Sequence, residues 1–243
     1  MPDPAKPKPT SNAKPFTGSS PTSRLLLLAA IGIAVILVVF GGIAVLGNGG
    51  QVVASSTPPA STTPAPTDAG ALVRDDSPTL GPADAPVTLV EFLDPECESC
   101  RAFYPIVKEV MEDYDGQVRL VVRYIPGHAN SALAAIALEA AREQDETKYW
   151  EMLELLFERQ PEWGEQQDPQ PQAFLDAAAA VGFDVGPIQA AMDAGDTSMV
   201  ERDLADALAV DVRGTPTFFV NGTLVSDMSP EGLRAAIDAA LAG

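Results

Sequence analysis

The chain reads as an α/β protein in which a small sheet is interrupted by a long block of helices. Three observations carry that reading. A dense apolar run, Val87, Leu89, Val90, Phe92 and Leu93, breaks at Asp94-Pro95 and passes into a stretch where Phe103, Ile106, Val107, Val110 and Met111 recur at helical spacing. A second buried-strand pattern, Val118 to Ile125, is followed by about 80 residues of mostly helical periodicity. Two further strands, Thr217 to Val220 and Thr223 to Val225, flank Asn221-Gly222, a strong two-residue hairpin signal.

Taken in order, residues 1–24 are rich in Pro, Ser, Thr and Lys and read as disordered. Residues 25–46 form an uncharged apolar run that as a helix spans roughly 33 Å, enough for a bilayer core of about 30 Å. A single-pass anchor in the plasma membrane is expected. The alternative is a cleaved signal peptide, whose apolar core is usually ~7–15 residues, with Val52-Val53-Ala54 as its cleavage site. Lys6, Lys8, Lys14 and Arg24 place the N-terminal side in the cytoplasm and the rest of the chain outside. Residues 47–79 read as a Pro/Ser/Thr-rich tether, with Leu72-Val73-Arg74 as an added edge strand.

The folded domain is expected over 80–243. After the strand at Val87 and the helix that follows it, Pro126-Gly127 closes the second strand. Helices are expected at Ser131–Gln144, Lys148–Gln160, Pro171–Val181, Pro187–Ala194 and Ser198–Val210. Ser229-Pro230 is an N-cap followed by Pro at the first helical position, and it opens a last helix with Leu233, Ile237 and Leu241 on its apolar face.

Composition narrows the chemistry. The net charge of −19 argues against a nucleic-acid partner, because phosphate contacts need a basic surface. An acidic surface otherwise serves solubility and names no partner. The only cysteines are Cys97 and Cys100, in C-E-S-C, and the only histidine is His128. That set cannot complete a four-ligand zinc site within one chain; zinc shared across a dimer is the remaining metal reading. The pair is either a structural disulfide or a redox dithiol. Its place where a strand turns into a helix favours the second. The first amides of a helix stabilise a thiolate and lower its pKa below about 8.5. The spacing puts both sulfurs on one helical face, with Cys97 outer and attacking and Cys100 inner and resolving. No metal or organic cofactor is expected beyond this redox-active disulfide.

Glu91, six positions before Cys97, and Pro105, five after Cys100, resemble the buried acid and helix-kinking proline of the thioredoxin superfamily. Further stretches resemble its DsbA-like thiol:disulfide oxidoreductases: R-Y-I-P-G-H-A-N-S from Arg123, E-A-A-R-E-Q from Glu139, Y-W-E-M-L-E-L-L-F from Tyr149 and G-T-P-T-F-F-V-N-G from Gly214. The resemblance covers residues 80–243 and implies a thioredoxin fold with a helical insertion at about 127–212. It implies a cis Thr215-Pro216 bond packed beside the disulfide, leaving the Thr215 backbone to pair with a substrate peptide; an ordinary trans turn is the alternative. Glu91 is expected to accept a proton for Cys100 during exchange, unless it faces solvent on an edge strand.

Glu98 and Ser99 depart from the family's best-known Pro-His dipeptide. A carboxylate about 7 Å away opposes ionisation of Cys97 by roughly 1 kcal/mol, which Arg101 offsets, so a weaker oxidant than the family's strongest members is expected. His128 is expected to cap or pack, and Trp150, Phe157 and Trp163 to fill the helical block. The resemblance implies an extracytoplasmic oxidase acting on cysteine-containing secreted or envelope proteins and reoxidised by a quinone-linked membrane partner. A reductase or isomerase of the same fold, and a non-catalytic peptide-binding scaffold with a structural disulfide, are the alternatives.

Overall fold

A computed structural model describes residues 69–243. The expected N-terminal segment 1–24, the apolar run 25–46 and most of the tether lie outside the described residues, among which no helix is long and apolar enough to cross a membrane. In chain order the elements are α1 (Ala69–Leu72), β1 (Thr79–Leu80), β2 (Val87–Leu93), α2 (Glu98–Asp113), β3 (Val118–Tyr124), α3 (Ser131–Arg142), α4 (Glu146–Glu158), α5 (Gln160–Trp163), α6 (Pro171–Val181), α7 (Val185–Ala194), α8 (Ser198–Ala209), β4 (Thr217–Val220), β5 (Thr223–Leu224) and α9 (Pro230–Ala242).

The five strands form one sheet in the order β1-β3-β2-β4-β5. β2 and β3 are parallel, joined by α2 as the crossover, and β4 runs antiparallel to β2. β2 is therefore central and covered on both faces, which explains its near-continuous apolar sequence. Its side chains alternate. Val87, Leu89 and Leu93 join the core that includes α2, α9 and the helical block, while Val90 and Phe92 join a second cluster with Leu72, Val121, Ala207 and Phe219. Glu91 shares the first face with Leu89 and Leu93. The β4–β5 turn has φ of 46° at Asn221 and 81° at Gly222, the two positive values that a tight hairpin turn needs. The Asn221 side chain also accepts from the Thr88 amide at 2.8 Å, tying the turn to β2.

Three expectations need correction. Leu72-Val73-Arg74 is not an edge strand. Leu72 ends α1 and is buried, and the Ala71 and Leu72 carbonyls accept from the Arg123 guanidinium at 2.9 and 3.0 Å. The chain turns there to satisfy a buried cation, and the edge strand is Thr79–Leu80. The tether boundary at residue 79 is consequently about ten residues too late. Finally, the end of the expected insertion, α8, packs on β3 and α1 and closes the second face of the sheet. Smaller shifts have identifiable caps. Asp145 accepts from the amides of Thr147 and Lys148 and Asp184 from that of Gly186, so α4 and α7 each start two residues earlier than their apolar pattern.

Candidate active site

Cys97 is the N-cap residue of α2, with extended backbone (φ −71°, ψ 122°), so its sulfur stands at the open end of the helix. Cys100 is one turn on and fully buried; Cys97 keeps 9% of its surface exposed. Both are free thiols. Thr215-Pro216 is cis, and the Thr215 carbonyl lies 3.5 Å from the Cys97 sulfur, although 118 residues separate them. Packing of β4 beside β2 creates this contact. The turn that starts β4 arrives at the level where β2 hands over to α2.

The electrostatics divide the two sulfurs. A hydrogen bond from the Cys100 thiol lowers the Cys97 pKa to about 5; partial burial opposes this, and the Thr215 side chain and the amides of Cys100 and Ser99 support it. Cys97 makes no direct capping hydrogen bond, so the helix amides act on it as oriented dipoles. Cys100 is driven strongly the other way, by its hydrogen bond to Cys97, by burial and by the charge of Glu91. Glu91 is 2% exposed on the central strand, opposite Val122 and Phe218. The edge alternative is thereby overturned. Burial alone raises its carboxyl to about 8, and none of the described side chains hydrogen-bonds to it. At neutral pH it holds a proton beneath Cys100.

Glu98 and Ser99 are exposed on the outer side of the first turn, and Glu98 is not among the groups that dominate the Cys97 pKa. The expected penalty from Glu98 is outweighed by the Cys100 thiol, Thr215 and the helix amides. Arg101 is half-buried one turn beyond Cys97, and it too is absent from those groups.

The turn before Cys97 is framed by residues that sequence reasoning passed over. Asp94 is fully buried; its carboxylate accepts from the amides of Glu96 and Gly127 at 2.8 Å, and lies 2.7 Å from His128 Nδ1. The Asp94 amide in turn points at the Cys100 sulfur from 3.5 Å. Glu96, 2% exposed, accepts from the amides of Asn130 at 2.6 Å and Glu165 at 3.0 Å. Gln160 donates its side-chain amide to the carbonyls of Pro95 and Cys97. The helical block thus clamps the active-site turn from outside. Two acids in a turn beside a thiolate are tolerable only if backbone amides neutralise them, and that was the available signal. His128 caps nothing with its ring. Its bond to Asp94 raises its pKa, against partial burial, and it packs at the margin of the site. Phe157 and Trp163 are core, and Trp150 is partly buried against that core, edge-on to Tyr149. Among the described residues no group of three or more His, Cys, Asp or Glu side chains could hold a metal ion.

Comparisons agree with this geometry. The family model described as thioredoxin matches residues 74–239. The chain is 31% identical over 173 residues to disulfide bond formation protein D of Bacillus subtilis, covering 68% of this chain and 78% of that protein. The crystal structure of oxidised BdbD from Bacillus subtilis superposes with a TM-score of 0.63 at 30% identity, over 69% of this chain and 94% of that one. The chain is also 36% identical over 143 residues to the Na(+)/H(+) antiporter NhaA of Herminiimonas arsenicoxydans, but there it spans only 22% of the relative's length and 58% of its own. Antiport belongs to the name of that larger protein. The matched residues are those that build the sheet, the C-E-S-C helix and the insertion, and the chain belongs to the thioredoxin superfamily, in its DsbA-like branch of thiol:disulfide oxidoreductases.

Proposed function

We propose that this protein introduces disulfides into cysteine-containing secreted or envelope polypeptides. The observation that carries the reading is the split between a Cys97 sulfur at pKa about 5 beside Thr215 and a buried Cys100 above a protonated Glu91. A substrate thiolate attacks the Cys97 sulfur of the oxidised pair. The Cys97–Cys100 bond breaks, and Cys100, which cannot persist as an anion in its apolar site, takes a proton from Glu91. A second substrate thiolate then attacks the substrate sulfur of the mixed disulfide, forming the product disulfide and expelling Cys97 as a stable thiolate. Two substrate thiols are oxidised and the protein pair is reduced. A thiolate stabilised this far below the ordinary thiol range favours the reduced protein, and so favours oxidation of the substrate.

The apolar run 25–46 and the basic residues before it support a single-pass anchor with the domain outside the plasma membrane. Family resemblance supports a membrane partner that reoxidises the pair and passes electrons to quinone. Cys100→Ser tests the chemistry. It should trap mixed disulfides in cells, and a further Cys97→Ser change should abolish them; no adducts would favour a scaffold. The redox state of the pair in cells tests the direction: mostly oxidised for an oxidase, mostly reduced for a reductase or isomerase.

A further inference from the structure

A furrow of three adjoining hollows runs along α2, the first two between the thioredoxin half and the helical block, and the exchange chemistry does not use it. The first is a polar hollow of about 170 Å³ between the active-site turn and α5, bordered by Glu96 and Glu98, the sequence neighbours of Cys97, and by Gln160 and Arg101. Arg101 is also a wall of the next section, a cleft of about 340 Å³ between α2 and α4. The cleft floor is apolar, with the rings of Tyr104 and Phe157 5.1 Å apart. Its rim is acidic: Glu109, Glu112, Glu154 and Glu158. Lys108 pairs with Glu154 across it and Arg234 reaches Glu109 at 3.5 Å, which leaves Glu112 and Glu158 without an ion pair among the described residues; Arg101 makes none either. Lys108 and Glu112 then border a third hollow of about 470 Å³ that reaches β1.

Two features suit this furrow to a polypeptide. Arg101, half-buried and without an ion pair among the described residues, lines both the hollow and the cleft, so its guanidinium N–H donors stand at their junction. Pro105, inside α2, has no N–H to offer the Arg101 carbonyl. Beyond that point an apolar floor lies under a surplus of carboxylates. We infer that the furrow is an extended substrate site that favours a polypeptide segment carrying Lys or Arg about five residues from its reacting cysteine. The spacing follows from geometry. Eleven residues of α2 rise roughly 16 Å from Cys97 to Lys108, and an extended chain covers that in about five residues at roughly 3.3 Å each. Thr215 would hold the backbone next to the cysteine, and the furrow the side chain further out. The protein is acidic throughout, and here carboxylates border an apolar cleft one hollow away from the active-site turn.

This inference rests on the exchange reading above. It is tested with the oxidised protein and three single-cysteine peptides that differ only in carrying Lys, Ala or Glu five residues from the cysteine, made in both directions. Stopped-flow rates of mixed-disulfide formation should be about five- to tenfold faster for Lys than for Ala in one direction, slowest for Glu, and level in high salt. The Glu112→Gln/Glu158→Gln variant should cut the Lys advantage to about twofold or less. Equal Lys and Ala rates at low salt, or an advantage that survives in that variant, overturns the furrow as the selective site. Mercaptoethanol separates the two failures. If it is oxidised through Cys97 while the peptides are not discriminated, only the furrow proposal falls; if neither it nor any peptide reacts, the exchange reading falls and takes this proposal with it.

Discussion

The pKa values of Cys97 and Glu91 are shifted in opposite directions, and both effects are measurable. The thiolate absorbance of the reduced protein should rise with a midpoint near pH 5 and vanish in Cys97→Ser. A midpoint above about 7, the thioredoxin range, would refute the assignment of Cys97 as a strongly stabilised thiolate. The reduction potential should fall between about −270 mV for thioredoxin and about −120 mV for DsbA. A value at or above the upper figure would refute the expectation of a weaker oxidant than the family's strongest members. Glu91 contributes to stability through linkage. Its carboxyl is near 4.5 when solvated and near 8 in the fold, so between those values the unfolded chain has released a proton that the folded one keeps. The contribution is full below pH 4.5, declines as pH rises to about 8 and is flat above. Comparing the unfolding free energies of wild type and Glu91→Gln, both reduced, isolates that decline; parallel pH curves would show that Glu91 is not buried as a neutral acid.

Among the elements, the active-site turn depends on partners supplied by the helical block. Glu96 holds the amides of Asn130 and Glu165. Glu96→Ala leaves these donors without their acceptor, at about 1–3 kcal/mol each, so stability should drop by a few kcal/mol in denaturant titrations. A loss under about 1 kcal/mol would show that water replaces the carboxylate and that no clamp exists. This turn also marks where sequence reading ends. The strands, α2 and the hairpin are legible because burial imposes their periods. Cys97, Cys100, Glu91 and Thr215 are legible because chemistry ties each to a particular place in that pattern. Asp94, Glu96 and Gln160 are not. Their partners lie between 2 and 69 residues away, many of them backbone amides and carbonyls, which leave no trace in residue type. The early starts of α4 and α7 were missed for a milder reason: Asp145 and Asp184 cap turns that carry no apolar periodicity of their own.

Over the whole molecule, the question is where the fold begins, and a buried cation in β3 answers it. Arg123 is fully buried, stacked 5.6 Å from the Phe92 ring centroid on the face of the sheet opposite the cysteines. It pairs with Asp203 at 2.7 Å and Asp206 at 2.5 Å on α8, and donates to the carbonyls that end α1. Arg74 binds Asp206 as well, and the second oxygen of Asp203 accepts from the Tyr124 amide. A guanidinium without water must have its donors occupied, so α1 and Arg74 complete a site that β3 and α8 leave open. A chain beginning at Pro78 retains both strands of the β1–β3 pair but lacks these carbonyls and Arg74. Compared with one beginning at Ala69, it should lose on the order of 3 kcal/mol and unfold at lower denaturant concentration, while its Cys97 midpoint stays near pH 5 because the network is on the other face. Equal stability of the two chains would mean that water replaces the α1 carbonyls at Arg123 and that the segment before Pro78 merely rests on the sheet. A shifted Cys97 midpoint would instead show that the second face helps set the geometry of the first.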